Sequence, residues 1–450
     1  MRPDVVHLIH QYPPESQGGS EQYLRDLVGL QRSAGRTVEV ISGTKHWRPS
    51  VEWTTDEVDG VPVHRVHRSD SWIDHYARSW HPGVERTFED YLRVRRPAVV
   101  HIHHWIRLTS NLVEVCRRQG IPAVVTLHDY YTSCPRIFRS RPDDPACHRP
   151  ISASNCAGCV TRYGHETQQE LETGVEVYAD SFRAELSMAH TVLVSVGSTA
   201  DLLSRMTGTP RERYEVLPLG YRQRFSGLPP LAAPVAGMPM RFAFWGIVGR
   251  HKGILVLLRA IRAIAEARPG RAELHILGSF ESPEFEAEVR AGSEGLPVVI
   301  HGKFDSAQLH AVNVHVGVFP SICIETYGQV LDECWELRLP YVVSDVGALG
   351  GRAAASGLRA MPGDEHSLTS AMLRFVDEPG LWRTQQSLLP PLPPDRAAHA
   401  DALEAIYDQC KLAGAAAQRG TPVDASRRVE FLQMQRDSAV HRLSPNCGPS

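Results

Sequence analysis

The stretch Phe319-Pro-Ser-Ile-Cys-Ile-Glu325-Thr-Tyr-Gly328-Gln-Val-Leu-Asp-Glu333 closes the apolar run Val314–Phe319 and opens a segment with helical spacing. A short Val-rich strand that feeds a glycine-containing turn and then a helix is the repeating unit of a parallel α/β sheet. On one helix, Glu325 and Glu333 are expected to stand about 12 Å apart, at ~1.5 Å per residue. That distance would let two carboxylates grip two parts of an extended ligand. The turn Thr326-Tyr327-Gly328 would offer backbone N–H groups at a helix start, where a diphosphate binds well. Read alone, the pattern equally fits two surface glutamates on an ordinary helix.

Moving outward, the same rhythm fills the chain. Short apolar runs stand at Val5–Ile9, Val38–Ile41, Val63–Val66, Val99–Ile102, Val124–Leu127 and Val192–Ser195. Most are followed by helical spacing, as in Glu21–Ser33 with its stripe Tyr23, Leu24, Leu27, Val28 and Leu30. After the Pro-, Gly- and Ala-rich Gly227–Met238 the rhythm restarts at Phe242–Trp245, Leu274–Leu277, Val298–Ile300, Val314–Phe319 and Tyr341–Ser344. The reading is α/β, with two doubly wound Rossmann-like domains at 1–220 and 235–390. Ligands of such sheets sit beyond the carboxyl ends of the strands, so two of them facing each other would make an interdomain cleft. Leu388–Pro394 breaks structure, a helix is expected at 395–413, and 414–450 forms a tail with a helix near Ser426–Val440 and poorly ordered final residues.

Composition narrows the function. In 450 residues, 48 Lys plus Arg face 51 Asp plus Glu, so a basic nucleic-acid footprint is not expected. No window reaches the ~20 consecutive apolar residues of a membrane span. The N-terminus runs straight into a strand without a signal-peptide pattern, which makes the cytoplasm the simplest address and leaves peripheral membrane contact open. An odd count of nine cysteines fits a reducing compartment better than a disulfide framework.

Three further motifs lie at strand ends. Gly246-Ile-Val-Gly-Arg250-His-Lys252-Gly253 follows Phe242–Trp245 and joins a glycine turn to a cationic pair, a combination suited to a diphosphate. Its alternative is a solvated basic loop. Gly18-Gly19-Ser20-Glu21 follows the first strand; Ser20 is expected to cap the helix, and the glycine pair to let backbone close on a ligand. Thr126-Leu-His128-Asp129 ends another strand, and a lone histidine there is more often structural than catalytic. Together with Glu325, Gly328 and Glu333, these motifs resemble the retaining glycosyltransferases of family 4, of the glycogen-synthase or glycosyltransferase group 1 type, over most of the chain to about residue 410.

The resemblance implies the GT-B fold, with the final helix crossing back to the first domain. It implies that Glu325 lies near the donor sugar, Glu333 binds ribose hydroxyls, His128 contacts the sugar, and Gly18 and Gly19 touch donor phosphate and acceptor. Lys252 matches the lysine that holds the pyrophosphate. Ile247 stands where the family usually has arginine, and Arg250 lies three residues late, as a candidate substitute. Catalysis is expected to need no metal or other cofactor, and no Asp-x-Asp stands out, since Asp143-Asp144 lacks that spacing. His101, His103 and His104 read as cleft lining or acceptor contacts. Cys134, Cys147, Cys156 and Cys159 fall in an insertion at 132–163, with structural zinc as one reading and free thiols as the other.

The expected function is therefore retaining transfer of a hexosyl-type sugar from a UDP- or GDP-sugar to a glycan, lipid-linked or small-molecule hydroxyl. Acceptor contacts are expected around Trp72–Arg86 and Thr132–Tyr163. A nucleotide-sugar epimerase of the same fold, or a non-catalytic nucleotide-sugar-binding protein, are the alternatives. Neither oligomeric state nor acceptor identity is written in these motifs.

Overall fold

A computed structural model of the chain describes residues 2–16, 18–70, 72–141, 146–353, 355–378, 380–414 and 420–443, with backbone alone for 438–443. Each apolar run named above overlaps a strand. In chain order the strands of the first part are β1 (Val5–Ile9), β2 (Val38–Gly43), β3 (Glu52–Val58), β4 (Val61–His67), β5 (Val99–Ile102), β6 (Ala123–Leu127), β7 (Thr191–Val194) and β8 (Tyr214–Val216). After the linker come β9 (Met240–Trp245), β10 (Ala272–Leu277), β11 (Val298–Gly302), β12 (Val316–Phe319), β13 (Tyr341–Ser344) and β14 (Leu358–Ala360).

The chain divides into two units. The first holds Met1–Phe138, His148–Leu219 and Arg396–Ser450; the second holds Arg139–Cys147 and Gly220–Asp395. In the first, eight strands run in the order β3-β4-β2-β1-β5-β6-β7-β8, parallel except for β3. Every residue of β1, β2, β5 and β6 is buried, as expected for central parallel strands covered on both faces. β3 was not expected. Its sequence, EWTTDEV, is mostly exposed and pairs antiparallel with β4 at the sheet edge, so it carries no apolar signal.

The second unit has a six-stranded parallel sheet in the order β11-β10-β9-β12-β13-β14. Its core packs Phe242, Phe244 and Trp245 of β9 with Ile254, Leu257 and Ile261 of the following helix. Each sheet has a switch point where the chain changes its direction of winding. It lies between β1 and β5 in the first unit and between β9 and β12 in the second. In open α/β sheets, ligands bind beyond the strand ends at such points.

Helix Arg396–Ala413 returns the chain to the first unit, where it packs on helix Gly19–Ser33 and on β5. It buries Leu403, Ile406, Tyr407 and Cys410. Helix Ala425–Leu443 packs on Gln168–Met188, with Phe431 buried. The disorder expected within the tail, and Asp143-Asp144, fall at 415–419, 444–450 and 142–145, outside the described residues. Among the described residues no helix is long and apolar enough to cross a membrane.

Candidate active site

In the second unit, the two loops at the switch point are locked together. β9 ends at Trp245, and the chain turns through Gly246–Gly249 into a single 3-10 turn, Arg250–Lys252. Ile322 N–H donates to the His251 carbonyl at 3.0 Å, which ties this turn to the loop after β12. Gly253 takes a left-handed φ of 77°, and a Cβ there would lie 1.9 Å from the Pro320 carbonyl oxygen. Only glycine permits both the backbone angle and the approach.

This docking sets Lys252 against Glu325. The Lys252 ammonium donates to Glu325 Oε1, and Ser321 Oγ donates to the same oxygen at 2.8 Å. Burial alone would raise the Glu325 pKa, but the Lys252 charge and the two hydrogen bonds hold it below the ordinary carboxylate value. Burial would likewise lower Lys252, and Glu325 outweighs it to raise the ammonium pKa. Burial and the Lys252 charge lower His251 beside them. The pair is a fixed ion pair at a strand-end loop.

Glu325 does not share a helix with Glu333, contrary to the spacing argument. The helix spans Val330–Glu336, because Gly328, at φ 73°, interrupts helical backbone before it. Glu325 and Thr326–Gly328 form an irregular loop instead. Arg352 organises this loop: its Nη1 donates to the Tyr327 and Gly328 carbonyls, both at 3.0 Å, and its guanidinium lies 3.9 Å from the Tyr327 ring centroid. It also pairs with Asp332, whose pKa burial pushes up to about 6 against the pull of Arg352.

Glu333 is buried and held at both oxygens. Trp245 Nε1 donates to Oε2 at 2.5 Å, and Arg224 Nη1 donates to Oε1 at 2.5 Å. Arg224 is steadied by Glu336, which accepts from its backbone N–H at 2.9 Å and from the Tyr221 hydroxyl at 2.5 Å. Arg250 turns elsewhere. Its guanidinium pairs with Glu288 and lies 4.9 Å from the Phe285 ring centroid. To serve a phosphate it must give up Glu288.

In the first unit, Gly18 precedes helix Gly19–Ser33 in extended backbone, φ −70° and ψ 178°. Ser20 lies inside the helix and does not cap it; its hydroxyl donates to Glu21 at 2.9 Å. Gly18 has no left-handed backbone angle; a Cβ there would meet Glu21 Oε2 at 2.6 Å and displace that carboxylate. Glu21 also accepts from Ser16 at 2.5 Å and lies 3.4 Å from His10 Nε2. Burial would raise its pKa, but His10 and Ser16 outweigh it and bring it to about 2.

His128 ends β6 and sits over a row of histidines. His103 Nδ1 lies 3.0 Å from His128 Nε2, and His7 Nδ1 lies 3.0 Å from His103 Nε2. Burial lowers the pKa of His7 and His128 to about 4, and that of His101 and His103 well below the ordinary value. His101 and His103 are 0% and 2% exposed, so they support the strand end from within rather than line a cleft. His104 points the other way, to Asp129 Oδ2 at 2.9 Å, as strand alternation predicts. His7, His101 and His103 are also the one set of metal-ligating groups brought within 4.8 Å of one another among the described residues. Among the described residues, Cys134, Cys147, Cys156 and Cys159 form no disulfide and are not drawn into such a set.

Sequence reasoning missed the parts played by Trp245, Arg224, Ser321 and Arg352. Trp245 had a signal, as a hydrogen-bonding aromatic at the carboxyl end of a strand. Arg224 and Arg352 had none, since only the fold brings them to Glu333 and Tyr327.

Comparison with known proteins decides the family. Residues 18–220 match the glycosyl transferase 4-like domain, and residues 240–378 match the glycosyl transferases group 1 model. The chain belongs to the group 1 glycosyltransferases. No curated protein matches its sequence. Among solved structures, this glycosyltransferase is similar to a sucrose-phosphate synthase from Thermosynechococcus elongatus, with 19% identity and TM-score 0.60 over 91% of this chain and 100% of the other. It is similar to the catalytic domain of starch synthase IV from Arabidopsis thaliana bound to ADP and acarbose, with 14% identity and TM-score 0.58 over 92% and 100%. A trehalose-phosphate synthase from Burkholderia xenovorans in complex with glucose-6-phosphate matches at 10% identity and TM-score 0.58, over 90% and 99%. These likenesses establish the GT-B fold of the transferase.

Proposed function

We propose that this glycosyltransferase is a retaining hexosyltransferase that uses a UDP- or GDP-sugar, needs no metal for the chemistry, and acts on a glycan, lipid-linked or small-molecule hydroxyl. One observation carries the reading. Lys252 and Glu325 are paired across the switch point of the second sheet, and Glu333 is fixed in the same unit by Trp245 and Arg224. Lys252 would neutralise the diphosphate, with backbone N–H groups of Thr326, Tyr327 and Gly328 beside it. Glu333 would hold the ribose, and Glu325 would stand at the sugar. Gly18, Gly19 and His128 of the first unit are assigned to the donor phosphates and sugar.

In the step, the bond from the sugar C1 to the phosphate oxygen breaks and the acceptor oxygen bonds to C1 on the same face. The acceptor proton passes to the leaving phosphate oxygen. Negative charge grows on the departing diphosphate, and a pre-positioned ammonium stabilises it most in a site poor in water.

A calorimetric screen of nucleotide sugars tests this. A UDP- or GDP-sugar should bind the wild type, and Glu333→Ala should weaken binding by roughly 10- to 100-fold, the range for a lost hydrogen bond to a charged group. Binding of no nucleotide sugar would overturn the reading; unchanged affinity in the variant would remove Glu333 from the site. Ile247 is exposed and Arg250 is bound to Glu288, which favours a non-catalytic donor-binding protein as the second reading. Tight binding without turnover on any acceptor would select it. Donor epimerisation without acceptor would instead select an epimerase.

A further inference from the structure

The two segments expected to carry acceptor contacts, Trp72–Arg86 and Thr132–Tyr163, meet in the first unit at an exposed tryptophan. Trp72 lies on the loop that follows β4 and is 65% exposed. Its backbone is left-handed, at φ 60°. An exposed apolar side chain by itself needs no explanation. A bulky one held where the backbone favours glycine does, because the fold gains little from the ring and bears the strain.

The loop around it is tied down at several points. His75 N–H donates to the Trp72 carbonyl at 2.8 Å, and Tyr76 is buried against Tyr178, with ring centroids 6.4 Å apart. His75 Nε2 donates to the Thr161 carbonyl at 2.9 Å, and the His75 ring stacks on Tyr163 at 3.9 Å. Glu166 fixes the facing turn by accepting from the backbone N–H groups of Tyr163, Gly164 and His165 at 2.6, 3.1 and 3.2 Å. Tyr163 then stands across Trp72, with centroids 5.6 Å apart and ring planes at 88°. Asp74 ties the loop to the sheet, accepting from Arg107 Nε and Nη2, both at 2.7 Å. Arg107 packs on the ends of β1 and β2: a Cβ on Gly43 would lie 2.6 Å from the Arg107 Cβ and 2.7 Å from the His10 carbonyl oxygen. The tryptophan is thus held beside the carboxyl edge of the first sheet, where ligands of parallel sheets bind.

We infer that Trp72, braced by Tyr163, is a stacking platform for a neutral sugar ring of an oligosaccharide acceptor, with Asp74 receiving hydroxyls of that sugar. The acceptor role rests on the proposed function, and the platform selects the glycan from the acceptor classes named there. The C–H face of a hexose ring is apolar and matches an indole in width, so stacking takes apolar surface of both partners out of water. A carboxylate has about four acceptor sites. Asp74 gives one site on each oxygen to Arg107, and its side chain is 48% exposed, so it can receive a hydroxyl without releasing the arginine.

A bilayer surface is the competing occupant, since indole rings also settle among lipid headgroups. Charge at the platform favours the sugar. Asp70 is paired with Arg68 through two hydrogen bonds, at 2.8 and 2.5 Å, as Asp74 is with Arg107. Arg78 Nε donates to the Tyr163 hydroxyl at 3.3 Å. Charges paired in this way present no basic stripe to anionic headgroups, and one ring is not the apolar helix face that lies in a membrane interface.

The test uses the full chain labelled with 5-fluorotryptophan and followed by 19F NMR, the Trp72 signal being assigned by its loss in Trp72→Phe. Maltohexaose, cellohexaose and chitohexaose are titrated in turn, and vesicles of phosphatidylcholine and phosphatidylglycerol separately. At least one oligosaccharide should shift the Trp72 signal, and calorimetry should show Trp72→Ala weakening its binding by roughly tenfold, the worth of one aromatic contact. The vesicles should leave the signal in place. Trp72→Gly should lose the same affinity yet melt no lower than wild type, because glycine relieves the left-handed backbone. A Trp72 signal that no oligosaccharide moves overturns the inference, and so does one that only vesicles move. A Trp72→Gly chain that melts several degrees lower also overturns it, by making the ring a support of the fold. Nucleotide-sugar binding without oligosaccharide binding sinks the platform and leaves the proposed function standing. Oligosaccharide binding at Trp72 without any nucleotide-sugar binding sinks the proposed function and leaves a glycan-binding surface.

Discussion

Glu21 shows how much one side chain contributes to the first glycine loop. It is 4% exposed, receives hydrogen bonds from Ser16 and Ser20, and faces His10. Its folded pKa of about 2 lies below the ordinary 4.5. A depressed carboxylate stabilises the fold above its unfolded value, and that contribution is lost as pH falls from about 4.5 toward 2. At 1.36 kcal/mol per unit, the contribution is at most about 3 kcal/mol. Glu21→Gln should therefore be less stable than wild type at pH 7, and the gap should shrink by pH 3. Melting temperatures at the two pH values check this, and an equal gap at both would refute the coupling. His10 adds to the same acid limb, because burial lowers its pKa and it must take up a proton later. Glu21 was legible in the sequence only as the fourth residue of a glycine motif. Its partners at positions 10 and 16 lie on a loop whose path no local pattern describes.

The switch-point loops of the second sheet act as one element. Gly253 joins them through its approach to Pro320, and Ile322 hydrogen-bonds to His251. Gly253→Ala adds about 1–2 kcal/mol for left-handed backbone in an L-residue and about 1–3 kcal/mol for the overlap. Thermal unfolding should reveal a loss of roughly 2–5 kcal/mol. Gly19→Ala is the contrast, because nothing lies within 4 Å of a Cβ there and the residue is already helical. It should change stability by less than about 1 kcal/mol. If both variants behave alike, the docking of the two loops does not explain Gly253. The sequence placed Gly253 correctly after a strand and a basic turn. It placed Glu325 on the wrong element, because helical periodicity extended backward through Gly328, where the backbone turns left-handed.

At the scale of the molecule, helix Arg396–Ala413 completes the first unit after the chain has built the second. Tyr407, at its centre, is fully buried and meets His101 Nδ1 at 2.6 Å. Tyr407→Phe keeps the ring and leaves a buried histidine nitrogen without its partner, at a cost of about 1–3 kcal/mol. Equilibrium unfolding of the full chain should show that loss, and a change within about 0.5 kcal/mol would mean that His101 finds another partner. The same helix places Glu404 as the acceptor of the Gln31 amide at 3.2 Å and His399 beside the Tyr23 hydroxyl at 2.6 Å. A helix that reads as a simple amphipathic terminus is therefore part of the support for the first sheet, beside β5.

The amino-acid sequence by itself determined the class of fold, because Val- and Ile-rich strands buried on both faces leave continuous apolar runs that local reading detects. It also pointed to His128, Lys252 and Glu325 in the segments that follow strands and to Glu333 on the helix after β12, since a parallel sheet offers its binding edge beyond its strand ends. Strand β3 stayed hidden because an exposed edge strand has no apolar run. The row of histidines beneath His128, the bond of Glu333 to Trp245 and Arg224, and the departure of Arg250 to Glu288 were decided by tertiary structure alone. Each depends on which side chains meet across long sequence separations, and hydrogen bonding between such groups leaves no periodicity in the chain.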